Sequence, residues 1–147
     1  MNPKLMQFGP FPLRIMVGIT FLAHRVPSLA DFGQVQGFVG RVGLPPEVAF
    51  VIAALEIGGA IAMFAGIITR ITAVLYIILM LSTTLVVKLS RGFLGGFEVD
   101  LLLLVMAVSL LITGPGRISI EWDVLKREIW PRGRSLVAQQ QPSVRSG

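Results

Sequence analysis

Four apolar stretches, separated by short polar breaks, organise the sequence. They run over about 11–29, 46–68, 71–89 and 97–113. A helix needs about 20 apolar residues to cross the hydrocarbon core of a bilayer, so each stretch is predicted to be one transmembrane helix. Arg14 interrupts the first. Pro45-Pro46 opens the second, where the missing N–H groups have no helical partner to lose. The third ends with Lys88 placed to snorkel toward the surface. In the fourth the unbroken apolar core is only Leu101–Ile112, so Glu98 and Asp100 fall within its outer end, and Gly114-Pro115-Gly116 stops it. The expected fold is an all-α membrane protein, a four-transmembrane-helix antiparallel bundle over 11–121 behind an N-terminal flank, 1–10.

Segments between and after the spans read differently. Residues 30–44 alternate glycines with Phe32, Phe38, Val39 and Val42, and are expected to form a short interfacial or re-entrant piece on the outer side. Residues 118–130 are amphipathic, with Trp122, Leu125 and Ile129 on one helical face, and an interfacial helix is expected over 122–131. Residues 132–147 are polar, basic and aperiodic, and are expected to be disordered. Lys4, the apolar Ile15–Ala23 and Ser28-Leu29-Ala30 sketch a signal peptide; Arg14 lies too deep for one, and the segment is expected to be retained.

Composition agrees with a membrane chain. Hydrophobic residues make up 54% and charged residues 14%, against about 25% charged in soluble domains. Cysteine is absent and His24 is the only histidine. That excludes disulfides, cysteine-ligated clusters, a haem held by two histidines of one chain and a metal site of the usual kind. The formal charge of +5 gathers near the C-terminus, where six Lys/Arg follow residue 116. Basic residues flanking lipid-seeking segments suit anionic headgroups rather than nucleic acid. Four crossings would put Lys4, Arg14, Arg70 and those six on one side, nine of the thirteen basic residues. The positive-inside rule then predicts cytoplasmic termini.

Glu56 is the residue most at odds with its surroundings. A carboxylate in the middle of a span costs about 2.5–3.5 kcal/mol on insertion scales, so a partner or a function must compensate. Arg14 approaches it from below the midplane, and His24 and Arg25 from the outer end. Arg14 and Glu56 are expected to form a buried polar core, either a structural clamp or an acid that carries protons or touches quinone. His24, Glu98 and Asp100 are candidates for an outer mouth. Residues i and i+2 of a helix point to nearly opposite faces, so Glu98 and Asp100 make no simple dyad, and acids at a helix start also stabilise its dipole. Ala54, Gly58, Ala62 and Gly66 form a small-residue stripe suited to close helix packing, within the bundle or in a homo-oligomer. Gly37, Gly40 and Gly43 resemble a phosphate loop only loosely, because no Lys-Ser/Thr follows.

With these residues in view, the chain resembles the DoxX family of small prokaryotic membrane proteins. The resemblance is carried in order by LRIMVGITFLAHRVPSLADF (13–32), GFVGRVGLPPEVAFVIAALEIGGAIAMFAGIITR (37–70), KLSRGFLGGFEVDLLLL (88–104) and LLITGPGRISIE (110–121). It implies a four-helix bundle whose polar positions are Arg14, His24, Glu56, Arg70, Glu98 and the 114–121 stretch. Arg25, Ser28 and Glu121 depart from residues usual in the family. The resemblance also implies a plasma-membrane subunit of a quinone-linked oxidoreductase or oxidative-stress assembly, working with another protein subunit. Any cofactor would be bound non-covalently, with quinone the candidate. The alternatives are a structural or assembly subunit without chemistry, and a proton or small-solute pathway.

Overall fold

The computed structural model describes residues 6–89, 92–125 and 129, and all regular structure among them is helical. The elements are α1 (Pro10–Ala30), α2 (Phe32–Arg41), α3 (Val48–Ala65), α4 (Thr69–Thr83) and α5 (Glu98–Thr113). A π-helical turn, Thr84–Lys88, extends α4, and a second short turn, Ile120–Val124, follows α5. Three stretches are long and apolar enough to cross a membrane: Val48–Ala65, Thr69–Val86 and Phe93–Thr113. Helix α1 has 21 residues, but Arg14, His24 and Arg25 make it more polar than the others.

The surface is that of a protein dissolved in lipid. Phe50, Val51, Ile61, Ile78, Leu85, Leu102 and Val105 are all more than half exposed. The interior is where the polar residues go: Arg14, Thr69, Thr72, Asp100 and Glu121 are buried. Helix α1 shows the inversion in one element, with Met16, Ile19 and Val26 exposed and Arg14 and Arg25 turned inward. Solvation by hydrocarbon outside and by hydrogen bonds inside accounts for this pattern.

Helices α1 and α3 pack together, as do α4 and α5. Each pair is antiparallel: Arg14 bonds Met63 while Arg25 pairs with Glu56, and Lys88 bonds Asp100 while Arg70 bonds Ile112. Between the two ends lies an apolar layer of Val17, Phe21, Ala60, Met63, Ala73, Tyr76 and Leu110. The α3–α4 hairpin turns at Gly66–Ile68, at the end of the second apolar stretch.

Three local features add detail to the sequence reading. The 30–44 segment contains a helix, α2, despite its glycines, because Val35 and Val39 recur one turn apart and pack with Ala49; tertiary burial outweighs weak propensity. Helix α5 begins at Glu98, one residue after the expected start, following a kink at Phe93–Phe97 where Gly95 is left-handed (φ 72°). The helical turn after α5 ends at Val124, and Leu125 and Ile129 lie outside it. The rest of the amphipathic segment and the 132–147 tail lie outside the described residues.

Candidate functional site

At one end of the bundle two ion pairs face a cavity. Arg25 and Glu56 form the first, with side chains only 7% and 13% exposed. Lys88 Nζ donates to Asp100 Oδ1 at 2.7 Å, and Thr84 Oγ1 donates to Oδ2 at 3.2 Å, forming the second. Thr84 and Lys88 bracket the π-helical turn, a feature often found where a helix must re-aim a side chain. The cavity holds about 190 Å³ and is walled by both pairs with His24 and Thr83. Phe21, Met80 and Leu103 supply apolar wall.

The Phe21 ring stacks on Tyr76, with centroids 3.6 Å apart and 13° between planes. Tyr76 Oη donates to the backbone carbonyl of Glu56 at 2.8 Å. This approach depends on Gly59, since a Cβ there would sit 2.6 Å from the hydroxyl. The Glu56 turn is thus held from two sides, through its carboxylate by α1 and through its backbone by α4. Carboxylate oxygens accept hydrogen bonds, and guanidinium and ammonium groups donate them. Glu56 and Asp100 therefore offer acceptors, and Arg25 and Lys88 offer donors, within one small space.

The opposite end is closed. Arg14 is fully buried and donates to the carbonyls of Met63 (3.3 Å) and Ile118 (2.6 Å). Glu121 and Asp123 lie near enough to act on it electrostatically. Glu121 Oε1 accepts from the N–H of Ile68 at 2.7 Å, and its own N–H donates to the carbonyl of Gly66. Ile68 and Ile118 both have positive φ, 48° and 59°, a conformation costly for β-branched residues. Each is held by a hydrogen bond to a charged side chain of this cluster. Gly66 is left-handed (φ 65°), and a Cβ on it would overlap Arg14 and Ser119. The segment after Gly114-Pro115-Gly116 therefore folds back as a strap over the end of α1 and the α3–α4 turn.

The residues singled out in the sequence divide between these ends. Arg14 does not join Glu56. It stands opposite Met63, seven residues or two helical turns from Glu56, and Arg25 takes the pairing instead. His24 and Asp100 reach the cavity, whereas Glu98 is not among its walls; helix begins at Glu98, so the i, i+2 divergence applies in full. Of the small-residue stripe, Ala54 and Gly58 are exposed and Gly58 has open space beside it. The packed face of α3 is the one carrying Ala53, Ala60 and Met63. Lys88 and Thr84 were not legible as cavity residues, and only a break in α4 periodicity would have signalled them. Among the described residues no group of three or more His, Cys, Asp or Glu is placed to hold a metal ion.

Comparison with known proteins agrees with the earlier resemblance. The DoxX family model matches residues 9–89. A curated protein of Bacillus subtilis (strain 168) named "Putative oxidoreductase CatD" is 36% identical over 126 residues, covering 84% of this chain and 92% of its own length. No solved structure matches.

Proposed function

The chain belongs to the DoxX family of membrane proteins, and we propose from that premise that it is a membrane subunit of a quinone-linked oxidoreductase assembly. The observation that carries this reading is the cavity walled by Arg25–Glu56 and Lys88–Asp100 inside a lipid-facing bundle. Intramembrane ionisable groups are costly and cluster at working sites. The relative's name points to redox chemistry in the same direction. In this reading the bundle has four spans, α1 being the fourth, with both termini in the cytoplasm of a prokaryote. Helix α1 is long enough, and its arginines face inward while its outward face is apolar.

Quinone reduction consumes two electrons and two protons. The sequence has no cysteine and one histidine, so the two electrons come from a partner subunit carrying a flavin or metal centre, and the two protons come from water at the cavity end of the bundle. This chain's residues bind and orient the ring: Arg25 and Lys88 donate to its oxygens, Glu56 and Asp100 accept from its hydroxyls, and Phe21 lies along its face. Purification from native membranes in mild detergent tests the proposal. Copurifying quinone and a redox subunit are expected; an empty, solitary bundle would overturn it.

The alternative is an assembly subunit without chemistry, favoured by the exposed Ala54–Gly58 surface, which suits another helix or a second copy. Glu56→Gln separates the two. Intact assembly with lost turnover supports chemistry, and lost assembly with unchanged turnover of the remaining complex supports structure. A proton or solute pathway would have to cross the apolar layer between the two ends; it predicts proton flux in liposomes that Glu56→Gln abolishes.

A further inference from the structure

We infer that the cavity takes an uncharged, single-ring aromatic bearing hydroxyl or carbonyl oxygens, and rejects both anions and fused two-ring analogues. This deepens, and rests on, the quinone-linked reading. Three observations carry it. The first is size. An apolar cavity of about 150 Å³ accepts benzene, and drug-sized ligands occupy about 300–1,000 Å³. At about 190 Å³ there is room for one ring and its oxygens.

The second is charge. Each cation on the cavity wall already has its carboxylate, Arg25 with Glu56 and Lys88 with Asp100. An anion gains little net attraction from cations already neutralised, and it meets the repulsion of the Glu56 and Asp100 carboxylates that line the same cavity. A neutral hydroxyl or carbonyl adds its hydrogen bond without separating either pair. The third is an open valence. Arg25 is 6% exposed, lines the cavity, and its Nε–H has no hydrogen-bond partner among the described residues. Buried donors are nearly always satisfied, and a turn of the guanidinium toward a ring oxygen would satisfy this one. The carboxylates keep lone pairs for a ring hydroxyl, and Phe21 supplies an aromatic wall.

Such a ring could be the headgroup of a lipid-soluble quinol or a small phenol arriving from water. The test uses the full chain in nanodiscs of synthetic phosphatidylcholine under argon. Binding of radiolabelled 1,4-hydroquinone is measured directly and in competition with 1,4-naphthohydroquinone, benzoate and a long-tailed single-ring quinol placed in the lipid. The inference expects saturable binding of hydroquinone that benzoate and naphthohydroquinone do not displace. Competition by the tailed quinol assigns the lipid source, and its failure to compete assigns the aqueous one.

Glu56→Gln should weaken hydroquinone about tenfold, the effect of losing one charged hydrogen bond. Thr83→Phe, which places a ring in the cavity and leaves all four charged side chains in the sequence, should abolish binding and serves as the check should Glu56→Gln not fold. Displacement by benzoate, equal binding of the two-ring compound, or binding indifferent to Thr83→Phe would overturn the inference. If the native assembly turns over quinone in a Glu56-dependent way yet hydroquinone does not bind, this inference falls and the quinone-linked role stands. If hydroquinone binds as described but no quinone or redox subunit copurifies, the reverse holds.

Discussion

The two ends of the bundle solve the same problem, a charge buried among apolar helices, in opposite ways. At the strap end, Arg14 is held by backbone carbonyls and covered by the chain that follows α5. Its acidic neighbours are spent on the backbone, Glu121 on Ile68 and Asp123 on Ser119. At the cavity end the cations meet carboxylates directly, and the pairs border open space. A charge tied to main chain and covered by the strap fixes the fold. A charge tied to another side chain beside a cavity can rearrange without unfolding anything. The comparison therefore assigns architecture to one end and chemistry to the other.

Breaking the strap end should have the largest effect. Arg14→Ala leaves Glu121, Asp123 and three carbonyls around an empty site, and is expected to cost about 3–5 kcal/mol, read as a fall in melting temperature and folded yield in detergent. Gly66→Ala adds a left-handed penalty to a steric overlap and should cost about 2–4 kcal/mol in the same assay.

The cavity end should be more forgiving. Replacing both Arg25 and Glu56 by Met removes the pair together and should change stability by no more than about 1–2 kcal/mol, because well-packed apolar residues often substitute for a buried ion pair; turnover of the assembly should nevertheless be lost. A double variant as unstable as Arg14→Ala would erase the distinction. The smallest effect belongs to Ile118→Gly. Relief of a positive φ on a β-branched residue (59°) should leave stability unchanged or raise it by about 1 kcal/mol, seen as an equal or higher melting temperature.

Much of the fold is legible in the sequence because lipid imposes long apolar runs, and the ranges of α3, α4 and α5 follow them closely. The polar residues are legible as exceptions but not as partners. Arg14 and Arg25 are eleven residues apart, three helical turns, so both lie on one face of α1 and periodicity cannot choose between them. Only the register of α1 against α3 decides that Arg25 meets Glu56. Lys88 reads as a snorkelling residue because an ideal helix would carry it toward the membrane surface; the π-helical turn brings it to Asp100 instead. Gly114-Pro115-Gly116 is a clear helix stop, yet nothing in the local pattern says that the chain returns to cover Arg14. That return depends on Glu121 finding the N–H of Ile68, a contact 53 residues away in sequence.

Accessibility of the two ends tests the central claim most directly. The sequence contains no cysteine, so Thr83→Cys on the cavity wall and Ser119→Cys under the strap can be compared in the same vesicles with a membrane-impermeant maleimide. The account predicts that the Thr83→Cys variant is labelled from one side of the membrane and protected by bound hydroquinone, while the Ser119→Cys variant resists labelling from both sides until the protein is denatured. Rapid labelling at position 119 of the folded protein, or a position 83 that reacts from neither side, would contradict it.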